Sequence, residues 1–68
     1  MRVRRLPSDG YHSVSDRMPE PDVQLDIQCD NDDIGGAAAL GEDGKWYWTW
    51  NGELDQEVTF EVTRWMYL

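Results

Sequence analysis

Three of the four tryptophans in this chain stand at alternate positions, Trp46, Trp48 and Trp50, within the run Lys-Trp-Tyr-Trp-Thr-Trp. Side chains alternate between the two faces of a β-strand, so this spacing places all three indoles on one face of a sheet. That face is either the centre of a core or an exposed aromatic binding surface. The spacing predicts a strand and leaves the two roles open.

Regular alternation of apolar and polar residues predicts two further strands, at residues 23–29 and 58–63. A run of small residues at 34–40 predicts another strand or extended segment, with an irregular segment as the alternative. The predicted fold class is therefore mainly β: a small antiparallel sheet of three to four strands. It contains at most one short helical turn, which the serines of residues 13–18 could cap.

The two glycines of the loop 41–44 favour a hairpin in which Leu40 faces Lys45. The register that follows places the three alternating tryptophans opposite Ala39, Ala37 and Gly35. Asn51-Gly52 is a second strong hairpin signal, but residues 53–56 lack alternation, which favours a connection longer than a tight turn.

Trp65 and Tyr67 fall out of phase with the alternating apolar residues at 58, 60 and 62. A bulge near Arg64 would restore the phase, because one extra residue in a strand turns the following side chains to the other face. The alternative is a strand end that reaches a second surface.

With 68 residues, the chain is one domain at most and buries a thin core. Residues 1–10 mix charge with proline and glycine, which predicts a flexible basic lead-in; residues 11–68 are predicted to form a single small β domain. A homodimer would add buried area and stays open as an alternative.

The chain is strongly acidic, with 14 Asp and Glu, 6 Lys and Arg, and a formal net charge of −8. Three of the arginines lie within the first five residues, so residues 6–68 carry 3 − 14 = −11. Such a surface repels phosphate, which argues against direct nucleic-acid binding and predicts a protein partner with a basic surface.

Several site classes are disfavoured by the sequence. Cys29 is the single cysteine, so no intrachain disulfide forms, which fits a reducing cytoplasm better than a secreted scaffold. The acidic run 30–33 starts like a calcium loop, but Gly41 stands where the bidentate glutamate is required. Residues 34–41 are too few to cross a bilayer, so no membrane association is expected. No spacing selects a catalytic pair, and we predict no enzyme activity, no cofactor and no metal.

Two short stretches carry a resemblance to a known family. Residues 11–20 read Tyr-His-Ser-Val-Ser-Asp-Arg-Met-Pro-Glu, and residues 62–66 read Val-Thr-Arg-Trp-Met. Together they resemble the opening and closing motifs of a small family of uncharacterised phage and prophage domains. Tyr11 stands where that family usually has tryptophan, and Arg64 where it usually has histidine. The resemblance implies a phage or prophage origin and a small β fold, and it implies no chemistry.

The leading hypothesis is a phage or prophage accessory protein that acts by binding a host protein through an acidic and aromatic surface, with inhibition of that protein as one outcome of binding. A specific version is mimicry of nucleic-acid charge, in which carboxylates occupy a phosphate-binding surface of the partner. The alternative is a structural or assembly subunit without inhibitory activity. The residues predicted to contact the partner are Trp48, Trp50, Glu42, Asp43, Glu53, Asp55 and Glu57.

Overall fold

A computed structural model describes residues 2–31 and 33–68 of the chain. Within these residues, six strands form one sheet and no helix occurs. The strands are β1 (His12–Ser13), β2 (Leu25–Cys29), β3 (Gly35–Leu40), β4 (Trp46–Trp50), β5 (Glu53–Glu57) and β6 (Val62–Tyr67). Neighbouring strands pair antiparallel in the order β1-β6-β2-β3-β4-β5.

The mainly β, antiparallel prediction is confirmed, whereas the predicted number of three to four strands is wrong. Two of the additional strands carry no clear sequence signal. β1 has only two residues, and β5 is interrupted by a bulge that removes the alternation by which strands are recognised. The division into a lead-in over residues 1–10 and a domain over residues 11–68 stays a prediction.

Strand β2 lies between β6 and β3, and its alternating pattern sets the core face. Leu25 and Ile27 are fully buried, as the alternation predicts. Gln24, which the same alternation assigns to solvent, is buried, and its side-chain amide donates hydrogen bonds to the carbonyl of Ala38 and the hydroxyl of Thr49. The core cluster consists of Val23, Leu25, Ile27, Cys29, Ala38, Val58, Val62, Trp65 and Tyr67.

The hairpin between β3 and β4 forms in a register shifted by one residue from the prediction. Leu40 pairs with Trp46 instead of Lys45. Gly41 donates its N–H to the carbonyl of Lys45 at 2.7 Å and accepts from Gly44 at 3.0 Å, so Gly41 belongs to the paired flank and only three residues form the loop. Gly44 adopts φ 83°, as a three-residue loop with a bulge requires.

The connection between β4 and β5 is a tight two-residue turn. Asn51 and Gly52 adopt φ 52° and 76°, the left-handed pair that matches the twist of a hairpin, and Trp50 pairs with Glu53. The longer connection that the sequence favours is therefore wrong. The lost alternation comes from a register shift between Tyr47 and Thr49 that places one extra residue in β5.

The phase break before Trp65 is resolved by a bulge, as predicted. Gln28 pairs with Arg64, but Cys29 pairs with Val62, so one extra residue lies in β6. This bulge turns both Val62 and Trp65 toward the core, where Trp65 is fully buried. The strand predicted over residues 58–63 is wrong in its bounds, because β6 begins only at Val62.

The segment after β1 packs back onto β6 without forming a helix. Ser13 accepts backbone hydrogen bonds from Asp16 and Arg17, both at 3.0 Å, which closes a single turn. The indole Nε1 of Trp65 donates to the carbonyl of Arg17 at 2.8 Å. The ring of His12 lies 4.7 Å from that of Trp65, so the turn covers one end of the core.

Residues 2–4 contact two separate parts of the sheet. Val3 donates its N–H to the carbonyl of Gly52 at 2.7 Å, at the outer edge of β5. Arg4 donates its N–H to the carbonyl of Asp22 at 2.8 Å, just before β2. The segment therefore joins the last strand of the sheet to its middle, so the sheet curls around the core.

Candidate functional site

The tryptophan row is divided between the core and the surface. Trp46 and Trp48 are half-buried and pack against the core cluster, whereas Trp50 is 71% exposed. The pairing of β4 with β3 begins at Leu40–Trp46 and ends at Ala38–Trp48, so Trp50 lies beyond the paired part of β3. One indole of the row is therefore available to a partner.

Glu53 lies directly across the turn from Trp50 and on the same face of the sheet. We call this region, formed by Trp50, the turn 51–52 and Glu53, the Trp50 end. The guanidinium of Arg2 also lies here, against Gly52. The backbone of Arg2 forms an isolated antiparallel β-bridge with the backbone of Glu53. The Trp50 end thus combines an exposed aromatic side chain, a carboxylate and one arginine.

The opposite end of β4 carries the three-residue loop between β3 and β4. We call the region formed by this loop, its flanking residues Gly41 and Lys45, and the neighbouring Glu57 the hairpin end. Glu42 and Asp43 lie in the loop and are exposed. Glu57 pairs with Tyr47, and its carboxylate lies 3.9 Å from the ammonium of Lys45. These three carboxylates therefore belong to the hairpin end.

The structure thus separates the seven predicted contact residues. Trp50 and Glu53 lie together at one end of β4, whereas Glu42 and Asp43 lie beyond its other end. The strand itself spans about 13 Å from Trp46 to Trp50, four residues at a rise of ~3.3 Å each. This separation exceeds the Debye length of about 8 Å at physiological salt, so the two ends act as separate charged surfaces. Trp48 and Asp55 lie between them, with Asp55 in the bulged part of β5.

A cleft of about 300 Å³ opens at the hairpin end. Its walls are Asp22, Gly41, Glu42, Asp43, Tyr47 and Leu54. Sequence reasoning selected Glu42 and Asp43 but missed the other four residues. No local pattern could have found Asp22 and Leu54, which lie far apart in the chain and meet only because the sheet curls.

Tyr47 fixes the orientation of Asp43 at this cleft. The Tyr47 hydroxyl donates to Asp43 Oδ2 at 2.6 Å, and the N–H of Lys45 donates to Asp43 Oδ1 at 3.0 Å. The bond from Tyr47 lowers the pKa of the Asp43 carboxyl and raises the pKa of the Tyr47 hydroxyl. Asp43 is therefore an ionised acceptor over the neutral pH range.

Two further groups of polar side chains lie on the β1 and β6 side of the sheet. Asp9 accepts from His12 at 2.7 Å, and this bond lowers the pKa of the Asp9 carboxyl. The Tyr11 hydroxyl donates to Asp26, which raises the pKa of Tyr11. Both groups connect the first residues of the domain to the sheet, which is a structural role.

Burial raises the pKa of the Cys29 thiol, which keeps it protonated and poorly nucleophilic. Within residues 2–31 and 33–68, no group of three or more His, Cys, Asp or Glu side chains is arranged to hold a metal ion. The same residues contain no helix long and apolar enough to span a membrane.

Comparison of the chain with protein-family models, with curated proteins and with solved structures gives no significant match. The resemblance to phage and prophage domains stays a prediction. The chemistry of the two ends of β4 is therefore the basis for a proposal of function.

Proposed function

We propose that this protein acts by binding a protein partner that presents a basic surface, and that the Trp50 end is the centre of the contact. The observation that carries the proposal is the 71% exposure of Trp50 beside Glu53 on an acidic domain. Tryptophan is among the residues that contribute most to binding energy in interfaces, and burying it in a partner removes a large apolar area from water.

The charge of the domain favours a basic partner over nucleic acid. Residues 6–68 carry 3 − 14 = −11, so phosphate is repelled and a lysine- or arginine-rich surface is attracted. Electrostatic attraction of this kind acts mainly by accelerating association. In its specific form, the proposal is a phage accessory protein that occupies the phosphate-binding surface of a host protein and inhibits it.

The experiment compares four forms of the protein as baits in a bacterial lysate: wild type, Trp50→Ala, Met18→Ala and the double variant Glu53→Lys with Asp55→Lys. Met18 is a matched control, because it is an apolar side chain that is 50% exposed near β1, at the opposite edge of the sheet. We expect one protein to be retained by wild type and by Met18→Ala, and to be lost with Trp50→Ala. Equal retention by Trp50→Ala would contradict a contact centred on Trp50.

Association rates with the identified partner then test the charge contribution. The rate should fall between 0.1 M and 1 M salt, where the Debye length shrinks from about 10 Å to about 3 Å. Glu53→Lys with Asp55→Lys should slow association more than Asp16→Lys with Glu61→Lys, which changes the net charge equally but beside β1 and β6. A rate that neither salt nor the first double variant changes would exclude charge mimicry.

The alternative, a structural or assembly subunit, predicts self-association instead. Sedimentation of the purified protein distinguishes the two: a defined oligomer that Trp50→Ala dissociates would favour assembly through the Trp50 end. A wild-type monomer that retains a host protein would favour the binding role.

A further inference from the structure

The cleft at the hairpin end lies on the face of the sheet opposite to Trp50 and Glu53, because its walls Tyr47 and Leu54 alternate with them along β4 and β5. It therefore has its own chemistry. Its volume of about 300 Å³ lies at the lower limit of small-molecule pockets, which suits one long side chain better than a large ligand. Of its six lining residues, three are acids and none is basic. The remaining walls come from a glycine, a tyrosine ring and a leucine.

The apolar part of the cleft is formed by Leu54, the ring of Tyr47 and the backbone of Gly41. A Cβ at Gly41 would lie 2.8 Å from Cε2 of Tyr47 and 2.6 Å from Oδ1 of Asp43. The ring and the carboxylate therefore pack directly on the glycine backbone, and any larger residue would displace them. A chain of methylene groups fits such a wall, as in the stems of lysine and arginine.

Two of the three carboxylates at the cleft have no hydrogen-bond or ion-pair partner among the described residues. Within the described residues, the side chains of Asp22 and Glu42 make no hydrogen bond or ion pair, whereas Asp43 accepts from Tyr47 and Lys45. The neighbouring cations are engaged elsewhere: Lys45 pairs with Glu57 at 3.9 Å, and Arg4 pairs with Glu20 at 3.3 Å. The cleft thus carries three carboxylates, and no cation lines it.

We propose that this cleft binds a single lysine or arginine side chain of the protein partner, with the stem on Leu54 and Tyr47 and the cationic group between Asp22 and Glu42. This inference rests on the proposed function, since it takes its ligand from the same basic partner, but it assigns a second contact on a different surface. The Tyr47 ring adds a cation–π attraction for a cation above its face. A neutral side chain of the same length gains neither the attraction of the carboxylates nor the cation–π attraction.

The test uses small probes, so it does not require the partner. Nα-acetyl-lysine N-methylamide and the arginine counterpart are titrated into the ¹⁵N-labelled protein, with the norleucine counterpart as the uncharged control. We expect saturable amide shifts at Gly41, Tyr47 and Leu54 with dissociation constants on the order of millimolar, as one side chain provides. Equal saturation by norleucine, or no saturation by either cationic probe, would overturn the proposal.

Variants then test the carboxylates themselves. Asp22→Asn with Glu42→Gln keeps the side-chain shapes, and asparagine tolerates the φ of 60° at position 22. We expect affinity for the cationic probes to fall at least about tenfold, whereas Asp16→Asn with Glu61→Gln, which removes the same charge at exposed positions away from the cleft, should leave it within about twofold. Glu42→Gln alone gives the same test if the double variant perturbs the fold.

Trp50→Ala separates this inference from the proposed function. It should bind the lysine probe as wild type does, because Tyr47 and Leu54 of the cleft lie on the face of the sheet opposite to Trp50. If partner binding depends on Trp50 but neither cationic probe binds in the cleft, only the second contact is overturned. If the cationic probes bind in the cleft but no protein is retained in a Trp50-dependent way, only the proposed function is overturned.

Discussion

The side-chain Nε2 of Gln24, the residue just before β2, donates a hydrogen bond to Oγ1 of Thr49 in β4 at 2.8 Å, although β3 lies between β2 and β4. The same nitrogen lies 3.2 Å from the carbonyl of Ala38 in β3. The crossing is sterically allowed because β3 carries small residues, among them the fully buried Ala39. A polar side chain that sequence alternation assigns to solvent is thus used to connect three strands.

Gln24→Ala should destabilise the protein by about 1–3 kcal/mol, because it leaves Thr49 and a buried carbonyl without their donor. The free energy of unfolding is measured by urea titration followed by tryptophan fluorescence. Gln56→Ala, at an exposed position of β5, should change it by less than ~0.5 kcal/mol. If Gln24→Ala were as mild as this control, the connection would have no energetic role.

Leu25→Ala should cost roughly 2–4 kcal/mol, because Leu25 is fully buried between β3 and β6. A loss of this size is a large part of the total stability of a small domain. The same urea titration measures it. A change below ~0.5 kcal/mol is typical of a surface position and would not be compatible with the buried position of Leu25.

Gly44→Ala tests the three-residue loop. Gly44 has φ 83°, and a Cβ added there would meet no atom within 4 Å beyond its chain neighbours. Its replacement therefore carries only the cost of a left-handed backbone, roughly 1–2 kcal/mol. Gly44→Asn should recover part of this loss, since asparagine adopts that conformation more readily. Thermal unfolding of the two variants gives the comparison, and equal stability of Gly44→Ala and wild type would argue against the bulged loop.

The hydrogen bond between Tyr47 and Asp43 predicts that the stability of the protein depends on pH at both high and low pH. The pKa of Tyr47 is raised above its ordinary 10.0, so its contribution to stability is present below pH 10.0 and is lost as the pH rises through the folded-state value. The pKa of Asp43 is lowered below its ordinary 3.8, so its contribution is present above pH 3.8 and is lost as the pH falls through the folded-state value.

Asp43→Asn should therefore shift the pKa of Tyr47 back toward 10.0, because the carboxylate that stabilises the protonated hydroxyl is removed. The Cζ chemical shift of ¹³C-labelled tyrosine follows this titration residue by residue. Tyr11 serves as the internal control, since its own raised pKa depends on Asp26. An unchanged Tyr47 titration in Asp43→Asn would exclude the bond as the cause.

Local patterns predicted what depends on neighbours along the chain. The alternation at residues 23–29 identified the buried face of β2 because side-chain period is a property of the strand itself. The phase break before Trp65 identified the bulge in β6 for the same reason, since one extra residue reverses every following side chain. Asn51-Gly52 marked a turn because its residues adopt positive φ at low cost.

The tertiary structure alone decided which distant segments meet. The register of β3 against β4 depends on whether Gly41 joins the loop or the paired flank, and composition allows both. The separation of Trp50 from Trp46 and Trp48 depends on where β3 stops pairing with β4. The cleft requires residues from three parts of the chain to converge. These outcomes follow from closure of the curled sheet around its core, which no short stretch of sequence specifies by itself.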